Sequence, residues 1–259
     1  MQKKFASAII LIAAMFCFAI FLSGCNAFVS AGSANATNAT SVTRQQLEQS
    51  ENMPYVDRGN IIVWLDAGHG GFDVGTYVVL DECGTVVYEK DIALDIVSKV
   101  YDLFQKSDSG VKIFLSRADD SYINIHDRTP LWNYSTTTKA DLVVSVHVDF
   151  YEGPTAQTVS GIQVNYYQNN ASNTGRVDIT NRQFAQILQN NLVHETGARD
   201  RSVRGDRRFI VPANSTMPAV LIETGFMSND GELSKLLTEE YRMSIATAIY
   251  NGIVEAIRF

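Results

Sequence analysis

Asp141-Leu142-Val143-Val144-Ser145-Val146-His147 is the stretch that decides the fold. It opens on a polar residue, runs through aliphatic and β-branched side chains that would point to both faces of a strand, and closes on a histidine. A strand apolar on both faces has to be covered on both. The run therefore reads as a central strand of a mainly parallel sheet with helices on either side, an α/β class of fold.

Outward from this strand the same alternation continues. Residues 61–65 form a second apolar run, leading into Asp66-Ala67-Gly68-His69-Gly70-Gly71, whose glycines permit a tight turn and close approach to the backbone. Residues 77–80 and 85–88 flank Asp81-Glu82-Cys83-Gly84 as a hairpin. Residues 89–106 place Ile92, Ile96, Val100 and Leu103, with Ala93, Val97 and Phe104, on one broad face, the pattern of a helix laid on a sheet with Glu89 in its first turn. Further strands are expected at 111–115, 161–167, 209–211 and 219–222, the last delivering Glu223 at its end. Further helices are expected at 125–136, with Pro130 tolerable only near its beginning, and at 180–193, 232–237 and 241–257.

The N-terminus reads as an address. Lys3 and Lys4 precede an apolar run, and residues 1–24 end in Leu22-Ser23-Gly24 just before Cys25. This resembles the lipobox of bacterial lipoproteins, so 1–24 is expected to be a signal peptide and Cys25 a lipidated anchor to the membrane. Residues 25–59, rich in Ala, Asn, Ser, Thr, Gln and Glu, read as a flexible tether. Residues 60–259 remain as one domain, expected to be extracytoplasmic. The chain carries 28 acidic and 21 basic residues, and losing Lys3 and Lys4 takes the net charge from -7 to about -9. Nucleic acid is excluded as an electrostatically driven partner. With Cys17 discarded and Cys25 acylated, Cys83 would be a thiol without a partner in the chain.

His69, Glu89 and His147 each fall at a junction between a strand and a turn or helix. Two imidazoles and a carboxylate could hold one divalent metal, most naturally Zn2+, with a coordination position left open for water, and an open position implies hydrolysis. Taken singly, a histidine in Gly-His-Gly or at the end of a strand is an ordinary polar residue. Asp66 is a candidate to orient His69. Arg117 and Arg128 read as ion-pair residues, and His126 and His194 as surface residues outside the donor set.

The ordered set Leu65-Asp66-Ala67-Gly68-His69-Gly70-Gly71-Phe72-Asp73-Val74-Gly75, Glu89-Lys90-Asp91, Leu115-Ser116-Arg117, Arg128, Asn133, Ser145-Val146-His147 and Ile222-Glu223-Thr224-Gly225-Phe226-Met227-Ser228-Asn229 resembles the zinc-dependent N-acetylmuramoyl-L-alanine amidases. The resemblance implies a mixed, mainly parallel sheet flanked by helices, zinc on His69, Glu89 and His147, and a catalytic Glu223. It also implies cleavage of the amide between N-acetylmuramic acid and L-alanine in peptidoglycan. Asp149 stands where that family commonly has asparagine, and the basic stretch 199–208 reads equally as a contact for stem-peptide carboxylates or as a solvated loop. A non-catalytic or activator-dependent peptidoglycan-binding lipoprotein, and another zinc peptidase or deacylase, are the alternatives; no protein activator is named by the sequence.

Overall fold

A computed structural model describes residues 61–134, 139–168, 173–207 and 210–258. Six strands form one sheet: β1 (Ile62–Ala67), β4 (Lys112–Leu115), β5 (Leu142–Asp149), β6 (Gln163–Tyr167), β7 (Arg204–Asp206) and β8 (Ala219–Phe226). Their order across the sheet is β4-β1-β5-β8-β6-β7, and β2 (Tyr77–Val79) pairs with β3 (Val86–Tyr88) in a separate antiparallel hairpin. The β4-β1-β5-β8 block is parallel, whereas β6 runs antiparallel to β8 and carries β7 beside it. The sheet is thus mainly parallel, as the central run predicts, and mixed through β6, as the family resemblance implies.

Six helices flank it: α1 (Glu89–Lys106), α2 (Ile125–Asn133), α3 (Asn181–Thr196), α4 (Ile210–Asn214), α5 (Asp230–Leu236) and α6 (Glu239–Ala256). Trp64, Val143 and Ala219 are register partners on β1, β5 and β8, so they share one face, and they pack with Trp132 of α2 and Val211 of α4. The alternate residues Leu65, Val144, Val146, Val220 and Ile222 are fully buried on the opposite face, where α1 contacts β1 and β5 and α3 contacts β6 and β8. Each such side chain stabilises the fold by about 1.5–3 kcal/mol through loss of apolar surface to water. Helices α3 and α6 meet closely because Gly252 has no side chain; a Cβ there would lie 2.7 Å from Leu188 Cδ2. Among the described residues, no helix is long and apolar enough to cross a membrane.

Helix boundaries follow their caps. Thr180 and Gln183 form a reciprocal capping box at the start of α3, and Gly197 ends it in the left-handed conformation. Four expectations need correction. Residues 210–214 form a helix instead of ending a strand, because Pro212 falls in a first turn, where its missing N–H costs nothing; position 209 lies outside the described residues. Pro130 sits in the interior of α2, which spans nine residues and stops three residues later. Strands β5 and β8 run on past His147 and Glu223 to Asp149 and Phe226, so both side chains stand on the sheet itself. Cys83 is disulfide-bonded and is no lone thiol. The signal peptide, Cys25 and the tether fall outside the described residues.

Candidate metal centre

The site forms at the C-terminal ends of β1, β5 and β8, where open α/β sheets leave a crevice. Gly68 follows β1 and donates its N–H to Val146 O at 3.0 Å. A Cβ on Gly68 would stand 2.4 Å from His147 Cε1, so glycine here makes room for the imidazole of the neighbouring strand. His69 then adopts φ +60°, a left-handed conformation costly for a side chain of this kind and held in place by its surroundings.

Two buried guanidinium groups supply that hold. Arg117 donates from Nε to Ala67 O (3.0 Å) and from Nη2 to Gly68 O (2.8 Å) and Lys90 O (2.8 Å). Arg128 donates to Ala67 O (2.9 Å) and His69 O (2.5 Å), and pairs with the carboxylate of Asp66, which also accepts from Ser145 Oγ at 2.7 Å. Arg128 is an ion-pair residue, as expected, whereas Arg117 bonds backbone carbonyls, and together they tie the His69 turn to the first turn of α1. Asp66 does not orient His69. That part falls to Asp73, whose Oδ1 lies 2.8 Å from His69 Nδ1.

Glu89 is the first residue of α1, where a carboxylate meets the positive end of the helix dipole. Its Oε1 lies 2.9 Å from His147 Nδ1 and 3.2 Å from His69 Nε2, and accepts from Val148 N at 3.1 Å. Its Oε2 turns away and accepts from Thr76 N (2.9 Å) and Thr76 Oγ1 (3.1 Å). Burial works to raise the Glu89 pKa, but hydrogen bonds with His147 and then His69 outweigh it and hold the carboxyl far below the usual range. Burial likewise works to lower His69, and the hydrogen bonds to Glu89 and Asp73 overturn this, leaving its pKa raised. Ligand atoms of His69, Glu89 and His147 lie within 4.8 Å of one another. Two nitrogens and one hard oxygen at that spacing, with His69 steadied by Asp73 and Glu89 by Thr76 and the Val148 N–H, fit a divalent metal.

Glu223 enters from β8 directly opposite His147 on β5 and Gln163 on β6. Its Oε2 is buried and has no hydrogen-bond partner among the described residues. Burial, followed by the negative charges of Asp149 and Glu89, raises its pKa well above the ordinary glutamate range. Asp149 is itself raised by burial, opposed by its hydrogen bond from Phe150 N (2.7 Å) and the nearby charge of Arg201. His126 and His194 are exposed on α2 and α3 and stand outside the cluster.

The structure brings His69, Glu89, His147 and Glu223 together, and their supports are what the sequence did not reveal. Asp73 and Gly75 were visible in the glycine-rich run, but only the folded turn shows that a Cβ on Gly75 would stand 2.6 Å from Glu89 Oε2. Thr76 carried no signal.

The family profile described as N-acetylmuramoyl-L-alanine amidase, Amidase_3, matches residues 63–255. The uncharacterised protein YqiI of Bacillus subtilis (strain 168) is 34% identical over 191 residues, covering 74% of this chain and 82% of that relative. The amidase LytC of the same organism is 31% identical over 196 residues, 76% of this chain but 35% of that longer protein. The crystal structure of an N-acetylmuramoyl-L-alanine amidase from Clostridium difficile 630 superposes with a TM-score of 0.65 at 31% identity, covering 76% of this chain and 96% of that one. The profile match spans about three-quarters of the chain, and the chain belongs to the N-acetylmuramoyl-L-alanine amidase family.

Proposed function

We propose that the chain hydrolyses the amide between the lactyl group of N-acetylmuramic acid and L-alanine in peptidoglycan, with zinc held by His69, Glu89 and His147 and with Glu223 as the proton-transfer residue. The observation that carries this is the juxtaposition of the His69–Glu89–His147 cluster with a buried, unpartnered carboxylate on the adjacent strand. His69 would bind through Nε2, since Nδ1 is committed to Asp73, and His147 through the Nδ1 that faces Glu89. Zinc in such a set polarises a bound carbonyl and lowers the pKa of a bound water.

The protein's own groups do the rest. Glu223 Oε2 takes the proton of the attacking water and hands it to the departing amide nitrogen, a role open to it because no hydrogen bond among the described residues occupies that oxygen. Asp73 fixes the His69 tautomer, and Thr76 keeps the second oxygen of Glu89 away from the cluster. The leader and Cys25 supply localisation in this reading: lipidation tethers residues 60–259 outside the cytoplasmic membrane, beside the wall.

The test is mass analysis of purified peptidoglycan incubated with zinc-loaded and chelator-treated protein. Metal-dependent release of stem peptides with a free N-terminal L-alanine, from glycans left intact, is the expected result. Cleavage within the peptide or of an N-acyl group on the sugar would replace this reading with a peptidase or a deacylase.

A further inference from the structure

Glu223, His147 and Gln163 form one row across three strands, and the next element outward is a loop of unusual build. Asp200 bridges to Ile162, and Arg201 N donates to Ile162 O at 3.1 Å. Gln163 Nε2 donates to Arg201 O (3.1 Å) and Ser202 O (3.5 Å), while Asp200 Oδ1 accepts from Ser202 N and from the buried Gln189 Nε2, both at 2.7 Å. Within this frame Ser202 is held at φ +61°, a strained conformation for a residue with a side chain. Gly161 lets the loop close in, since a Cβ there would stand 2.3 Å from Arg199 O.

The frame presents two cations beside the cluster. The Arg201 guanidinium lies 4.7 Å over the Phe226 ring; its Nη1 donates to Ser160 O at 3.3 Å and its buried Nε has no hydrogen-bond partner among the described residues. Arg204, on β7, keeps 49% of its side chain exposed and contacts Asp206 Oδ2 at 3.1 Å through Nη2. Phe226 is the register partner of Asp149, so Arg201 stands over the outer end of the strand pair that carries His147 and Glu223. The stacked, rigid loop in an acidic chain thus aims positive charge at the crevice.

We infer that Arg201 and Arg204 form the stem-peptide subsite and select a carboxylate one residue beyond the L-alanine of the scissile amide. This rests on the amidase reading above. Arg204 pairs with Asn165, which faces Leu221, so it lies two strand spacings across and two residues along from Glu223, roughly 12 Å. Two extended peptide residues span roughly 7 Å, and an arginine side chain closes the remainder. A planar guanidinium matches a carboxylate in charge and in paired hydrogen bonds, and gains nothing comparable from a neutral amide.

The experiment measures kcat and KM on two soluble glycan-linked dipeptides, one ending in D-glutamate and one in D-isoglutamine, for the wild type, Arg204→Gln and Arg201→Lys. The wild type is expected to favour the acid by about ten- to hundredfold, through KM, as a charge-assisted pair allows. In Arg204→Gln the acid should fall to the level of the amide, and Arg201→Lys, which keeps the charge but loses the planar fork, should retain part of the preference. Equal use of both substrates by the wild type overturns the inference, as does a variant that loses both substrates in proportion. Failure of the wild type on both dipeptides and on whole peptidoglycan overturns the amidase reading, and this subsite with it.

Discussion

His147 and Glu223 are register partners on the adjacent parallel strands β5 and β8, so their side chains rise from the same face of the sheet. The pairing places a metal-ligand candidate and a proton-transfer candidate side by side on rigid elements, with no loop conformation to be chosen. Glu223→Gln keeps shape and burial and removes the transferable proton. Turnover should fall by about 10²–10⁴-fold, the usual worth of a positioned acid–base group, while the zinc content measured by elemental analysis stays at wild-type level. Full turnover in a folded, metal-bearing variant would remove Glu223 from the chemistry.

The supports of the cluster make a separate prediction. Asp73→Ala leaves His69 Nδ1 without its partner, and Thr76→Val removes one of two hydrogen bonds to Glu89 Oε2. Each should weaken metal affinity by about ten- to hundredfold, the range for such outer partners, as read by competition with a chromophoric chelator. Gly68→Ala should do more, since its Cβ displaces the His147 ring. Wild-type affinity in all three would mean that the backbone alone sets the ligands.

Much of this was legible because it is periodic or punctuated. The apolar runs before His147 and Glu223 announced buried parallel strands, and α1 was bounded correctly at both ends by its apolar face and its acidic start. Strand β7 escaped because Arg204-Gly205-Asp206 is a polar edge with no apolar alternation to read, and its pairing with β6 is a tertiary fact. The partners of Asp66 and His69 escaped for a related reason. Two carboxylates lie near His69 in the chain, Asp66 three residues before it and Asp73 four after, and only the left-handed turn at His69 decides that Asp73 reaches its ring while Asp66 turns to Arg128.

The sulfur of Cys25 gives a third prediction. On the lipoprotein reading, intact-mass analysis of detergent-extracted protein should show a chain beginning at Cys25 with an added diacylglyceryl mass, and Cys25→Ala should move the protein from the membrane to the soluble fraction. An unmodified Cys25, or a membrane distribution unchanged by Cys25→Ala, would discard the lipid anchor.

The buried pair of Asp66 and Arg128 controls acid stability in a direction that can be worked out. Burial opposes ionisation of Asp66, but the Arg128 charge and the Ser145 hydroxyl outweigh it, so the folded-state pKa lies below the unfolded value. The stabilisation is therefore complete above an unfolded pKa of about 3.9 and is lost as pH falls through the lower folded value. Asp66→Asn leaves Arg128 buried without its counter-charge, and at pH 7 should cost about 3–5 kcal/mol. In urea titrations of metal-free protein, the gap between wild type and Asp66→Asn should be widest near neutrality and should narrow as the wild-type carboxylate takes up its proton. A gap that stays constant from pH 7 into the acid transition would show that Asp66 stabilises the His69 turn through shape and hydrogen bonding, and that its charge contributes nothing.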